Sequence, residues 1–378
     1  MLSRKSEILV DLKAYRENIR HFADILYPTK VLPVIKANAF GHGAVEIAKA
    51  AEKESADFFA VAYLEEGVEL RDAGISAEIL LLNYCSPEYF QKAADYSLTA
   101  TLHSFSQIES INQIRGRLPK FHIKINTGMN RLGFNPDEAF DAFRMAEEAK
   151  MDITGIYSHL ATADEEDPTF FIQQYERFEN LVAELQKKGF DTGIVHLCNS
   201  AASIRFPGRC FDYSRIGISS FGVQPSRFFK DTRLKQVLTF KSCISQVRYL
   251  EPGDSVSYGR TFFADENMRV AVVPVGYVDG FDRRLSNKGS VLIGGIPCRV
   301  IGRVCMDHFV ADISKVNPTP KEGDEVILIG KQGKESISIE QVAEWRETTN
   351  SEITSCISYR VPRKYLCDIR ESESHFFT

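Results

Sequence analysis

The sequence predicts an α/β protein: an N-terminal (β/α)8 TIM-type barrel followed by a mainly-β domain. Three observations predict it. Short apolar, β-rich runs alternate with amphipathic stretches through the first part of the chain. The pattern then turns to strands and tight turns. Chemically active side chains recur just where the early runs end.

The runs are "VLPVIK" 31–36, "FFAVA" 58–62, "ILLLN" 79–83, "LTATL" 98–102, "FHIKI" 121–125, "ITGIYS" 153–158, "IVHLC" 194–198 and "RCFDYSR" 209–215. Charged amphipathic stretches such as "GAVEIAKAAEKES" 43–55, "DEAFDAFRMAEEAK" 137–150 and "FFIQQYERFENLVAELQKKG" 170–189 separate them. That alternation indicates βαβ units and a parallel sheet. Eight runs suggest a closed barrel, with a doubly wound sheet as the rival. From "LTFKSCISQVRYL" onward come strands and turns ("MRVAVVPVGY", "SVLIGG", "PCRVIGRV", "HFVADIS", "DEVILIG"), with one late helical segment, "SIEQVAEWRE" 338–347. The expected domains are therefore 1–232, the barrel, and 233–378, the β-domain.

Composition narrows the function classes. The 378 residues are 44% hydrophobic and 26% charged, with net charge −5, and show no basic patch suited to nucleic acid. The N-terminal "MLSRKSEILVDLKAY" lacks a signal-peptide core, and no run is apolar enough to span a membrane. A cytoplasmic protein with no nucleic-acid or membrane partner is expected. The eight cysteines are scattered without C-x-x-C or Cys/His ligand spacing, so free, mostly buried thiols and no metal site are expected.

Barrel active sites collect where strands end and loops begin. Lys36 ends the first run, Lys124 sits late in the fifth and Arg131 lies in the loop after it. His159 follows the sixth run, Asn199 and Ser200 the seventh, and Arg215 closes the eighth. A partly desolvated amine at Lys36 would have a lowered pKa and could attack an aldehyde to form a Schiff base. Spacing alone somewhat favours the plainer reading, a snorkelling or salt-bridging lysine. "GHG" 41–43 is a weak phosphate signal. "NSAAS" 199–203 with "RIGISS" 215–220 is a better anion cradle, because small residues leave backbone N–H groups accessible. Either alone also reads as a plain turn.

Together, "VIKANAFGHG", "IKINTGMNRLGF", "YSHLATAD", "CNSAAS", "RIGISSFG", "VSYGRTF", "VPVGYVDGF", "VIGRVCMDHF" and "ISYRVPRKY" resemble the bacterial alanine racemase family in order and spacing, from about residue 7 to 367. The resemblance implies a pyridoxal 5'-phosphate-dependent isomerase that interconverts L-alanine and D-alanine and supplies D-alanine for peptidoglycan. It implies a homodimer with shared active sites. Lys36 would carry the cofactor as an internal aldimine and act as one base, and Tyr258, from the partner subunit, as the other. Arg215 would face the pyridine nitrogen, with His159 between it and the tyrosine. Arg131 and the Met306 backbone would hold the substrate carboxylate. Asn199, Ser200, Gly217, Ile218 and Tyr359 would complete the cofactor site. Lys124 matches a lysine that is often carbamylated in the family.

The sequence departs from the family pattern at two positions. Phe40 stands where a tyrosine usually reaches the cofactor phosphate, and Asn126 where aspartate is common. A broad-specificity or serine racemase is the alternative reading. A decarboxylase on the same barrel would carry an acid where Arg215 stands, and a lone-barrel carrier protein would lack the second domain.

Overall fold

The computed structural model describes residues 5–114 and 116–367, so the end of the expected 233–378 domain, residues 368–378, lies outside them. Two compact units emerge. One contains Tyr15–Ala39 and Ala44–Lys235; the other takes the described residues up to Ala14, Phe40–Gly43, and those from Gln236 onward.

The first strand, β1 (Glu7–Asp11), belongs to the second of these units. The barrel strands follow as β2 (Lys30–Pro33), β3 (Phe58–Val61), β4 (Glu78–Leu81), β5 (Thr99–Leu102), β6 (Lys120–Lys124), β7 (Ile153–Tyr157), β8 (Ile194–His196) and β9 (Tyr213–Ile216). All pair in parallel in the order β2-β9-β8-β7-β6-β5-β4-β3. Val34 bridges Ala60, and the Ile35 N–H donates to the Ala60 carbonyl at 2.9 Å, closing the ring between β2 and β3. The open, doubly wound alternative is thereby excluded. Strands such as Phe58–Val61 and Thr99–Leu102 are buried throughout, as expected of parallel strands covered on both faces. The helix Leu12–Leu26 buries Tyr15, Ile19, Phe22 and Leu26, one stripe of a 3.6-residue period.

The β-rich unit holds a sheet running Gln246–Leu250, Met268–Val273, Phe309–Asp312, Ile296–Ile301, Ser290–Ile293, Glu325–Gln332, Leu238–Cys243, β1 and Arg363–Leu366. Strict alternation in Leu238–Cys243 places Leu238, Phe240 and Ser242 inward. β1 pairs antiparallel with that strand and parallel with Arg363–Leu366. A two-residue ribbon, Ser255–Val256 against Phe262–Phe263, carries a tip at Tyr258–Arg260. The late helix is Ile339–Arg346, capped by Ser338, whose hydroxyl accepts from the Gln341 N–H at 3.2 Å. A short helix, Asn350–Ser355, follows it and was not anticipated. Arg346 is buried in this unit and paired with Asp282 at 2.8 Å and Glu352 at 3.2 Å.

The cysteines are all free, but only Cys85, Cys198 and Cys298 are buried; Cys356 and Cys367 are exposed. Among the described residues no helix is long and apolar enough to cross a membrane.

Candidate active site

Nine of the expected site residues sit at the C-terminal ends of the barrel strands. Alternation along each strand decides which of them turn inward, because residues two apart share a face. Thus His122 and Lys124 pair across β6–β7 with Gly155 and Tyr157, and Tyr157 pairs with His196 on β8. His122, Lys124, Tyr157, His196 and Arg215 are all buried, forming layers of polar groups inside the barrel.

Lys36 follows β2, half-buried, and opens an unusual turn. Ala37, Asn38, Ala39 and Phe40 all have φ of 51–53°, one turn of left-handed helix. For L-residues this costs roughly 1–2 kcal/mol each, so the surroundings must hold it. They do so partly by hydrogen bonds: the Ala37 N–H donates to Glu66 Oε1 at 2.6 Å and the Ala44 N–H to Asn38 Oδ1 at 2.8 Å. Within the β-rich unit, Gly41 and Gly43 have φ of 83° and 102°, and a Cβ would fall 2.1 Å from the Thr354 carbonyl oxygen and 1.8 Å from Tyr365 Oη respectively. The close approach of the Thr354 backbone and the Tyr365 side chain, with positive φ at both positions, requires glycine there.

Arg215 is the centre of the polar layer. Nη1 donates to His196 Nδ1 at 2.7 Å and to the His196 carbonyl at 3.1 Å. Nη2 donates to the carbonyls of Ser158 at 2.6 Å and Leu197 at 2.8 Å, and reaches His159 Nδ1 at 3.2 Å. A guanidinium only donates, so both Nδ1 atoms must be acceptors. The N–H of His159 therefore sits on Nε2. His196 Nε2 likewise carries the hydrogen and donates to His122 Nδ1 at 3.0 Å. Burial first, and then the charge of Arg215, hold His159 and His196 well below the usual histidine pKa; His122 falls to about 3. All three are neutral. Burial brings even Arg215 down to about 10.

The amines feel the same field. Burial, then Arg131 and Arg215, lower the pKa of Lys36, with Glu66 opposing. Burial, then Arg215, Arg131 and Lys36, bring Lys124 down to about 7. Tyr157 stacks on His196 with ring centroids 4.8 Å apart, and its face lies 5.3 Å from both Lys124 Nζ and the Arg215 guanidinium carbon. Arg131 itself is exposed in the loop after β6. Asn126 organises that loop: Oδ1 accepts from the N–H groups of Asn130 at 2.8 Å and Gly128 at 3.3 Å, while Nδ2 donates to Asn130 Oδ1 and Asn135 Oδ1. An aspartate could not make the two donations.

A second cluster lies after β8 and β9. Asn199 caps the short helix Ser200–Arg205 through the Ala202 N–H at 3.1 Å. Ser200 Oγ accepts from the Gly217 N–H at 3.0 Å, next to Ile218, so its own O–H is left to donate. The Ser200 hydroxyl, in a barrel mouth where Lys36, Lys124, Arg131 and Arg215 act on one another electrostatically, fits a group bearing a phosphate, and the lowered Lys36 amine fits an aldehyde.

Tyr258, Met306 and Tyr359 lie in the β-rich unit, exposed at 70%, 52% and 96%. Tyr258 lines an open cleft of about 610 Å³ with Tyr277, Arg283 and Cys305. The Tyr359 loop is anchored by Arg360, which pairs with Asp279 at 3.0 Å and Asp307 at 2.7 Å. Sequence reasoning did not single out Glu66, His122, Tyr157 or His196. The period-2 spacing of His122 with Lys124 was the available signal.

The chain is similar to known proteins along nearly its whole length. Residues 10–225 match the family model for the alanine racemase N-terminal domain, and residues 237–365 that for the C-terminal domain. The alanine racemase of Carboxydothermus hydrogenoformans is 42% identical over 365 residues, covering 94% of this chain and 98% of that protein. Alanine racemase 2 of Bacillus subtilis is 38% identical over 381 residues, covering 97% and 96%. Among solved structures, the Bacillus anthracis alanine racemase with bound L-Ala-P superposes with a TM-score of 0.92 at 35% identity, covering 97% of this chain and 96% of that one. With both domains matched nearly end to end, the chain belongs to the alanine racemase family.

Proposed function

We propose that the protein interconverts L-alanine and D-alanine with pyridoxal 5'-phosphate as its resident group, in a cytoplasmic homodimer, and supplies D-alanine for peptidoglycan. The observation that carries the reading is a lysine amine of lowered pKa at the barrel mouth, within the field of a buried guanidinium, Arg215, that contacts no carboxylate among the described residues. When bound, the group supplies an aldehyde that condenses with amines and a conjugated ring that delocalises the electron pair released at Cα.

The residues divide the remaining work. Lys36 carries the group and, as a neutral amine, takes or returns the Cα proton on one face. Tyr258 of a second copy does so on the opposite face; racemisation needs both, since a proton leaves one side and another arrives on the other. A phenol ionises ordinarily near pH 10, so it needs help. His159 can give it, because its fixed Nε2–H donates to a phenolate oxygen, and Arg131 adds positive charge. Arg131 and the Met306 backbone hold the substrate carboxylate. Asn199, Ser200, Gly217, Ile218 and Tyr359 hold the phosphate end. Arg215 would lie toward the ring nitrogen of that group and, as a guanidinium that only donates, would discourage its protonation.

The test is detection of D-alanine formed from L-alanine, with L-serine assayed in parallel, and borohydride trapping to locate the label. Alanine turnover with label on Lys36 supports the reading; a faster reaction with serine would shift the substrate. In Tyr258→Phe, α-proton exchange should slow unequally for the L and D substrates. Equal slowing would remove the two-residue assignment.

A further inference from the structure

We infer that Glu66 is the positioning residue for Lys36: its carboxylate grips the peptide that joins Lys36 to Ala37 and so sets the direction in which the lysine leaves the barrel. The inference rests on the role proposed above for Lys36. Glu66 lies in the first turn of the helix Leu64–Asp72, which follows β3. Oε2 accepts from the N–H groups of Ala62 at 2.6 Å and Tyr63 at 3.1 Å, an ordinary helix-start arrangement. Oε1 instead reaches a segment 29 residues away, the Ala37 N–H, at 2.6 Å. Capping needs only the first oxygen; the second is spent on the lysine's own backbone.

The physical consequence follows from peptide planarity. The Ala37 N–H lies in the rigid plane whose orientation is fixed by ψ of Lys36. Holding that N–H in a charge-assisted bond therefore fixes the lysine backbone and, with it, the Cα–Cβ direction. Ala37 and Asn38 are exposed and receive little help from packing, so hydrogen bonds must maintain the left-handed turn there. Asn38 is held from the other side by the Ala44 N–H, and the Ala39 N–H closes the turn onto the Ile35 carbonyl at 2.8 Å, but among the described residues Glu66 is the side chain that grips the lysine's own peptide. The carboxylate charge also acts on the Lys36 amine, opposing burial, Arg131 and Arg215.

The experiment uses the cofactor-free full chain and the variants Glu66→Ala and Glu66→Gln, with folding checked by circular dichroism. Pyridoxal phosphate is added and trapped with borohydride, and the rate of label appearance on Lys36 is followed at a pH where the amine is neutral in every variant. Racemisation kcat and KM are measured separately. Glu66→Ala should slow labelling and kcat by about tenfold or more, while KM for alanine, set by Arg131, changes little. Glu66→Gln keeps one acceptor oxygen but turns an NH2 group toward an N–H, so it should recover only part of the rate. Should the alanine variant not fold, the glutamine variant alone decides. Equal labelling rates in wild type and folded variants overturn the inference. Absence of label on wild-type Lys36 overturns the reading beneath it, and the inference with it.

Discussion

Lys124 offers the sharpest test of the site's electrostatics. It ends β6, buried, with Arg215, Arg131 and Lys36 all acting on it, and its pKa falls to about 7. At pH 7.4 an ordinary lysine amine is neutral in about one molecule in 10³, whereas one with a pKa of about 7 is neutral in roughly two-thirds. That is nearly a thousandfold more nucleophile. A neutral amine adds to carbon dioxide: the N–C bond forms, the nitrogen releases a proton and a negative carbamate results. The adduct puts a negative charge before Arg215, Arg131 and Lys36, so the field that lowers the amine also favours its product. The perturbation is Lys124→Met, and the assay is 13C NMR of the protein equilibrated with labelled bicarbonate. Wild type should show a carbamate resonance that strengthens as pH rises through about 7 and is missing from Lys124→Met. If no resonance depends on Lys124 at saturating carbon dioxide, the electrostatic reasoning is refuted.

Three further outcomes are expected. Because the folded pKa of Lys124 lies below its unfolded value, the unfolded chain binds the extra proton between about 7 and 10.5. Stability in the absence of carbon dioxide should therefore rise with pH across that window, and urea denaturation should find this slope reduced in Lys124→Met. Phe40→Tyr should retain pyridoxal phosphate more tightly, by about 10- to 150-fold if one charge-assisted bond of about 1.5–3 kcal/mol is gained; equal dissociation constants by equilibrium dialysis would argue against it. A Cβ at Gly155 would fall 2.5 Å from the His122 ring, which is itself packed between Phe58 and His196. Gly155→Ala should thus lose about 1–3 kcal/mol in denaturant titration, and unchanged stability would show that the ring can yield.

The eight barrel runs were legible because each is a short, nearly continuous apolar segment set between amphipathic helices, and that contrast is local. The cluster of Lys36, Lys124, His159 and Arg215 was legible for the same reason, since a polar residue ending such a run has few other places to be. β1 was not. "EILVD" is too brief to show a pattern, and its partners, Leu238–Cys243 and Arg363–Leu366, lie more than 220 residues away. Asn126 was visible as a departure, but its purpose appears only with Asn130 and Asn135 folded around it.

By itself, then, the sequence determined the family and the two architectures, because periodicity and motif order are written along the chain. Only the tertiary structure decided which polar side chains share a layer, and hence that His122, Tyr157 and His196 surround the guanidinium of Arg215. It also decided the left-handed turn after Lys36 and the grip of Glu66 upon it. Those features depend on where a backbone N–H points once distant segments are in register. No local pattern encodes that direction; the closed ring of strands does.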